Sequence, residues 1–174
     1  MNKFKVIGSL VGLTFLCLFS TSHSLAQTPG IWKKVCADQA DARTCRLRQD
    51  LFLQKKNDKG KLETVGRVLR LNVVYSQLDG GGKRVPFLSI QMPLGIDLRP
   101  GMVFQIDGAN EIQLPFLRCT AQGCDASARL KSNLLRNMKA GNELKVGFRR
   151  WGDTKVSLIT ASLKGFTAAF SQIK

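Results

Sequence analysis

The chain has 174 residues, with 27 Lys and Arg against 12 Asp and Glu, five cysteines and a single histidine, His23. That length gives one domain with room for a real core. The positive balance points to anionic partners. One histidine leaves little material for Ser-His-Asp or Cys-His catalysis or for histidine-ligated metals.

In chain order, the first element is a leader. Lys3 and Lys5 precede the apolar run Val6–Ser20, and Ser24-Leu25-Ala26 places small residues where a signal peptidase cuts. The run is roughly 15 residues, short of the ~20 that a spanning helix needs. Cys17 sits behind bulky Phe15 and Leu16, unlike a lipidation site. Residues 1–26 are therefore read as a signal peptide and residues 27–174 as a single domain with no transmembrane span. Cleavage after Ala26 removes two lysines and His23, leaving 25 basic residues against 12 acidic ones.

Four cysteines remain: Cys36, Cys45, Cys119 and Cys124. An even number in an exported chain reads as disulfides. Three pairings are possible; Cys36–Cys45 with Cys119–Cys124 is expected because each closes a short loop. Zinc is disfavoured, since eight residues separate Cys36 from Cys45 and no histidine can complete a tetrahedral set. Neither pair has the C-x-x-C spacing of a redox site. No metal or other cofactor is expected.

Strand patterns follow. "CRLRQDLFL" puts Cys45, Leu47, Leu51 and Leu53 on one face and Arg46, Arg48 and Asp50 on the other. "RVLRLNVVY" (67–75) and "VPFLSIQM" (85–92) are richer in apolar residues and read as central strands. "MVFQID" and "EIQLPFLRC" flank "GAN", a hairpin turn. "LKVGFRRW" points Leu144, Val146 and Phe148 inward, and "KVSLITASL" is read with Val156 and Leu158 inward. "NDKGK", "LDGGGKR" and "PLGIDLRPG" are turns. The Gly80–Gly82 run lacks the Gly-Lys-Ser/Thr ending of a phosphate loop and reads as a hairpin tip. One amphipathic helix is expected, capped by Asp125 or Ser127, with Leu130, Leu134, Leu135 and Met138 on its apolar face and Gly141 at its end. The sum is an all-β sandwich with one short helix.

Chemistry is sparse. The acids are scattered and mostly sit at turns, so a glycosidase-type carboxylate pair has no sequence support beyond chance. Basic residues cluster at Lys33-Lys34, Arg46/Arg48, Arg67/Arg70, Lys83-Arg84 and Arg149-Arg150, with Trp32 and Trp151 beside two of them. Such clusters serve solubility or attract anions. Outside the cytoplasm the anion would be a phospholipid, lipopolysaccharide or sulfated glycan; nucleic acid is not expected. Arg149, Arg150 and Trp151 are the first candidates, because two cations and an aromatic share one strand end, where a guanidinium can lie over the ring. Arg46 and Arg48 are the second.

Trp32, Val35-Cys36, Cys45, "MPLGIDLRPGM" (92–102), "PFLRCTAQGC" (115–124), the helix, "LKVGF" and "SLKGFTAAF" (162–170) stand in an order that resembles the invasion-associated locus B family of exported alphaproteobacterial proteins. The resemblance spans Trp32 to Phe170. It implies an immunoglobulin-like β-sandwich, four cysteines in disulfides, and location in the periplasm or cell envelope, surface-exposed or secreted. It also implies a non-enzymatic part in host-cell invasion, notably of erythrocytes. The alternative is a structural or chaperone-like periplasmic factor with only an indirect effect on invasion. The family carries no catalytic residues over to this chain.

Overall fold

The computed structural model describes residues 26–27, 31–37, 41–77 and 82–173. Residues 1–25, which include most of the expected leader, lie outside the described residues, as do Gly80 and Gly81 of the expected hairpin tip. Among the described residues no helix is long and apolar enough to cross a membrane.

Two antiparallel sheets face each other. The larger contains β1 (Ala26–Gln27), β2 (Lys33–Cys36), β3 (Cys45–Lys56), β4 (Leu62–Ser76), β5 (Val85–Met92), β8 (Arg118–Thr120) and β9 (Gly123–Arg129). Its order is β1-β3-β4-β5-β9-β8, with β2 also paired to β3. The smaller sheet, in the order β11-β10-β6-β7, contains β6 (Met102–Ile106), β7 (Ile112–Leu114), β10 (Glu143–Arg149) and β11 (Val156–Ser162). Period-two alternation builds the core between them. Leu47, Leu51, Leu69, Leu71, Val73, Leu88, Ile90 and Met92 point inward from the large sheet, and Met102, Phe104, Ile106, Leu144, Val146, Ile159 and Ala161 from the small one. The 67–75 and 85–92 runs are central strands, as their composition requires.

The four cysteines form Cys36–Cys45 and Cys119–Cys124. Each bond joins residues directly opposite one another, across β2/β3 and β8/β9. Gly123 allows the second staple to sit against β5: its φ is 131°, and a Cβ there would collide with the Met92 carbonyl.

Three local readings are corrected. The helix α1 spans Ser132–Ala140 with Lys131 at its N-cap and no side-chain cap. Asp125 and Ser127 instead lie on β9, where ladder pairing with β5 holds the small-residue run in strand form. Met138 is buried, Leu134 and Leu135 are half-buried, and the Gly141 N–H closes on the Asn137 carbonyl at 2.8 Å, as expected, but Leu130 lies ahead of the helix, buried with its N–H donating to the Pro86 carbonyl at 2.9 Å. A second helix, α2 (Phe166–Phe170), runs into a 3₁₀ turn at Ser171–Ile173. On β11, Val156 and Leu158 point outward, 63% and 61% exposed, while Ile159 and Ala161 point inward. A one-residue slip in register turns every side chain to the opposite face.

Trp32 joins the parts. It is 6% exposed, its ring meets Phe166 edge-on at 5.1 Å, and its Nε1 donates to the Ser162 carbonyl at 3.0 Å. The start of the domain is thereby tied to the end of β11 and to α2. Phe166 in turn packs on Phe170 at 5.6 Å and Phe170 on Tyr75 at 5.8 Å.

Candidate functional site

The outer face of the large sheet carries two polar rows, set by ladder register. In one row Arg48, Asn72, Ser89 and Ser127 stand opposite one another on β3, β4, β5 and β9. In the next, Asp50, Arg70, Gln91, Asp125 and Arg118 run across to β8. With Arg46, and without Asp50, these residues line a groove of about 540 Å³. Each alternates with a buried apolar neighbour, so the pattern that fills the core also puts these side chains on one surface.

The second row satisfies itself. Arg70 Nε donates to Asp50 Oδ1 at 2.6 Å, and Arg67 Nε lies 3.9 Å from the same oxygen. Arg67 Nη2 donates to Gln91 Oε1 at 2.8 Å, and Gln91 Nε2 donates to Asp125 Oδ1 at 3.1 Å. Arg118 Nε lies 3.5 Å from Asp125 Oδ2. The groove's carboxylate, Asp125, and its row neighbour Asp50 are therefore both engaged by arginine, and neither is placed as a free acid or base.

The first row has charge to spare. Arg48 has a long contact of 3.4 Å from Nε to Asn72 Oδ1, and Arg46 makes no ion pair among the described residues. Burial, and then repulsion from Arg70 and Arg46, pull the Arg48 guanidinium below its usual value. Arginine stays charged at neutral pH all the same, so an excess of positive charge is held in a partly desolvated cleft. An oxyanion would relieve that repulsion and accept from the guanidiniums.

The strand end at Arg149, Arg150 and Trp151 is arranged differently from the sequence expectation. Asp97, 2% exposed, is clamped by two arginines. Arg99 donates from Nε and Nη2 at 2.8 and 2.9 Å, and Arg149 from Nη2 and Nε at 2.6 and 3.1 Å. Hydrogen bonds from Arg99 chiefly, helped by Arg149 and opposed by burial, hold the Asp97 carboxyl well below the usual carboxylate range. Arg150 pairs with Asp153 at 2.7 Å. Trp151 is 69% exposed, and the cation over its ring, at 5.2 Å, is Arg99. Arg149 is thus part of an internal clamp. Arg46 and Arg48 come together in the groove, whereas Arg149, Arg150 and Trp151 lie at the end of β10 in the other sheet.

Sequence reasoning named Arg70 only within the Arg67/Arg70 basic cluster, and missed Arg118 as a groove residue and Asp97 and Arg99 as the clamp. Arg70 and Asn72 alternate with Leu69, Leu71 and Val73, a signal that was available; the union with Arg48 needed the register. Among the described residues no group of three or more His, Cys, Asp or Glu could hold a metal.

The comparisons with known proteins agree with this architecture. A family model described as "Invasion associated locus B (IalB) protein" matches residues 32–174. No curated protein matches the chain significantly. Among solved structures, the crystal structure of invasion associated protein B from Bartonella henselae is similar. It has 21% identity and a TM-score of 0.58, over 86% of this chain and 95% of that one. At that identity the likeness speaks to the fold. The family match covers the sandwich from Trp32, through both disulfides, to the C-terminal helix, and on that ground the chain belongs to the invasion-associated locus B family.

Proposed function

We propose that the chain acts in host-cell invasion by binding, and that the arginine groove on the outer face of the large sheet holds a phosphate- or sulfate-bearing glycan. The observation that carries this reading is the surplus charge of Arg46 and Arg48 in a groove whose one lining carboxylate, Asp125, and the neighbouring Asp50 are already paired with other arginines. Asn72, Ser89 and Ser127, between and beside the arginines, suit the hydroxyl groups of sugar units. With residues 1–26 read as a leader, the groove is placed by this proposal in the envelope or outside the cell, where lipopolysaccharide and sulfated host glycans occur. The Arg149–Trp151 strand end contributes only its net charge, since Asp97 engages Arg99 and Arg149 and Asp153 engages Arg150.

The test is binding of the exported protein to immobilised heparin and to lipopolysaccharide, with phospholipid vesicles as comparison. A charge-assisted hydrogen bond on a partly exposed face contributes about 1.5 kcal/mol. Reversing both Arg46→Glu and Arg48→Glu should therefore weaken glycan binding about a hundredfold. The same reversal at Lys55 and Lys56, exposed at the end of β3, changes net charge equally and should cost far less. Equal losses at the two places would mean that only net charge matters and would sink the groove. Preference for vesicles over both glycans would overturn the ligand class.

A further inference from the structure

Among the described residues the small sheet ends in an open edge. β11 spans seven residues, Val156–Ser162, paired with β10 in unbroken register on one side only. The ladder parity decides which of its backbone groups face away. The Leu163 N–H donates to the Asn142 carbonyl at 2.8 Å, and the Asp107 N–H donates to the Glu143 carbonyl at 3.2 Å. Even-numbered residues of β10 therefore bond to β11 and odd-numbered ones to β6. On β11, Ser157, Ile159 and Ala161 are spent on β10, and Val156, Leu158, Thr160 and Ser162 turn their N–H and C=O outward. Ser162 fits this assignment, because its carbonyl accepts from Trp32 Nε1 and Gln49 Nε2, each at 3.0 Å. The backbone groups of Val156, Leu158 and Thr160 take no partner among the described residues.

Exposed edges are normally blunted by brevity, charge or proline. The other edges of this molecule follow that rule. β7 has three residues and runs into Pro115, β8 has three and carries Arg118, and β2 has four and carries Lys33 and Lys34. β11 has none of these protections: "VSLITAS" holds no charge, no proline and no bulge. Its outward side chains add apolar surface. Val156 and Leu158 lean with Val103 over Gly147, where an added Cβ would lie 2.8 Å from Val103 Cγ2 and 3.3 Å from Leu158 Cδ2.

We propose that β11 pairs with the β11 of a second copy, antiparallel about a two-fold axis at Leu158, to join two four-stranded sheets into one. In that register Leu158 meets its equivalent, and Val156 of one copy stands opposite Thr160 of the other. All three are outward-bonding positions, and all three side chains lie on the outer face. Self-pairing suits the charge pattern. A foreign strand would be selected by charges on the edge, and β11 has none. Two copies of so basic a chain repel elsewhere, and this uncharged strand is where they can meet. The assembly carries two arginine grooves, so a repeating polyanion can be held at two points, with the gain in avidity that follows.

Sedimentation velocity over a concentration series of the exported protein should reveal a dimer, stronger in higher salt as repulsion is screened. Leu158→Lys, at a solvent-facing position, sets like charges opposite each other and should weaken the dimer by at least about tenfold. Thr160→Pro removes an outward N–H without touching a bond to β10 and should do the same. Hydrogen exchange at Val156, Leu158 and Thr160 should slow as concentration rises. A monomer at every concentration, or a dimer indifferent to both variants, overturns the proposal. So does a pair of variants whose circular dichroism is native and whose amides at Val156 and Leu158 are protected as before.

Discussion

Replacing Trp32 measures how the start of the domain is held. Trp32→Phe keeps the aromatic body against Phe166 and removes the Nε1 donor to the Ser162 carbonyl. That carbonyl still accepts from Gln49 Nε2 at 3.0 Å, so no buried acceptor is orphaned. The loss is then the net value of one hydrogen bond, about 1 kcal/mol, and roughly another 1 kcal/mol for the missing ring volume. Trp32→Ala removes the whole side chain from a site that is 6% exposed and should cost about 3–5 kcal/mol. With a urea m-value of about 2 kcal/mol per molar, the midpoint should fall by about 1 M for Phe and about 2 M for Ala. The m-value itself should not change. If the Phe variant falls as far as the Ala variant, the hydrogen bond outweighs the packing and this accounting is wrong. If the Ala variant loses less than about 1 kcal/mol, Trp32 is not the tie between β11 and α2.

Replacing Cys119 and Cys124 together by Ser reopens a staple of sequence separation five, which loop-closure entropy values at about 2 kcal/mol. Urea unfolding without reductant should read that loss, and the corresponding change at Cys36 and Cys45, of separation nine, should cost slightly more. Asp97 should make the fold acid-sensitive. Its folded carboxyl lies below the unfolded value, so its contribution is complete above about pH 4 and is lost as pH falls further. Asp97→Asn should flatten the decline of the urea midpoint between about pH 4 and pH 2, and an unchanged slope would refute the clamp.

Much of the fold could be read from side-chain alternation, because β3, β4 and β5 each bury a strict every-other-residue set. Local chemistry failed where two readings of equal quality competed. "KVSLITASL" offers Val156 and Leu158 in one phase and Ile159, Ala161 and Leu163 in the other; the winning phase is fixed by the pairing with β10 and by the tie of Trp32 to Ser162. The Asp125–Arg129 run could cap a helix by composition. It is a strand because β5 lies beside it and Gly123 lets the chain approach the Met92 carbonyl.

The candidate site divides along the same line. Outward arginines on β3 are legible from the period alone, and the structure places Arg46 and Arg48 on that outer face. Arg149 was read as a free cation for a good local reason, its place on an outward strand position, and the reason was insufficient. Whether a surface cation is available depends on what lies opposite, and Asp97 comes from a turn about 50 residues earlier in the chain. The two sheets thus use arginine in different ways. At the end of β10 a buried carboxylate consumes two guanidiniums to fix a turn against a strand. On the large sheet the acids of the neighbouring row, Asp50 and Asp125, are already shared between Arg67, Arg70 and Arg118, and Arg46 and Arg48 are left without an ion pair among the described residues.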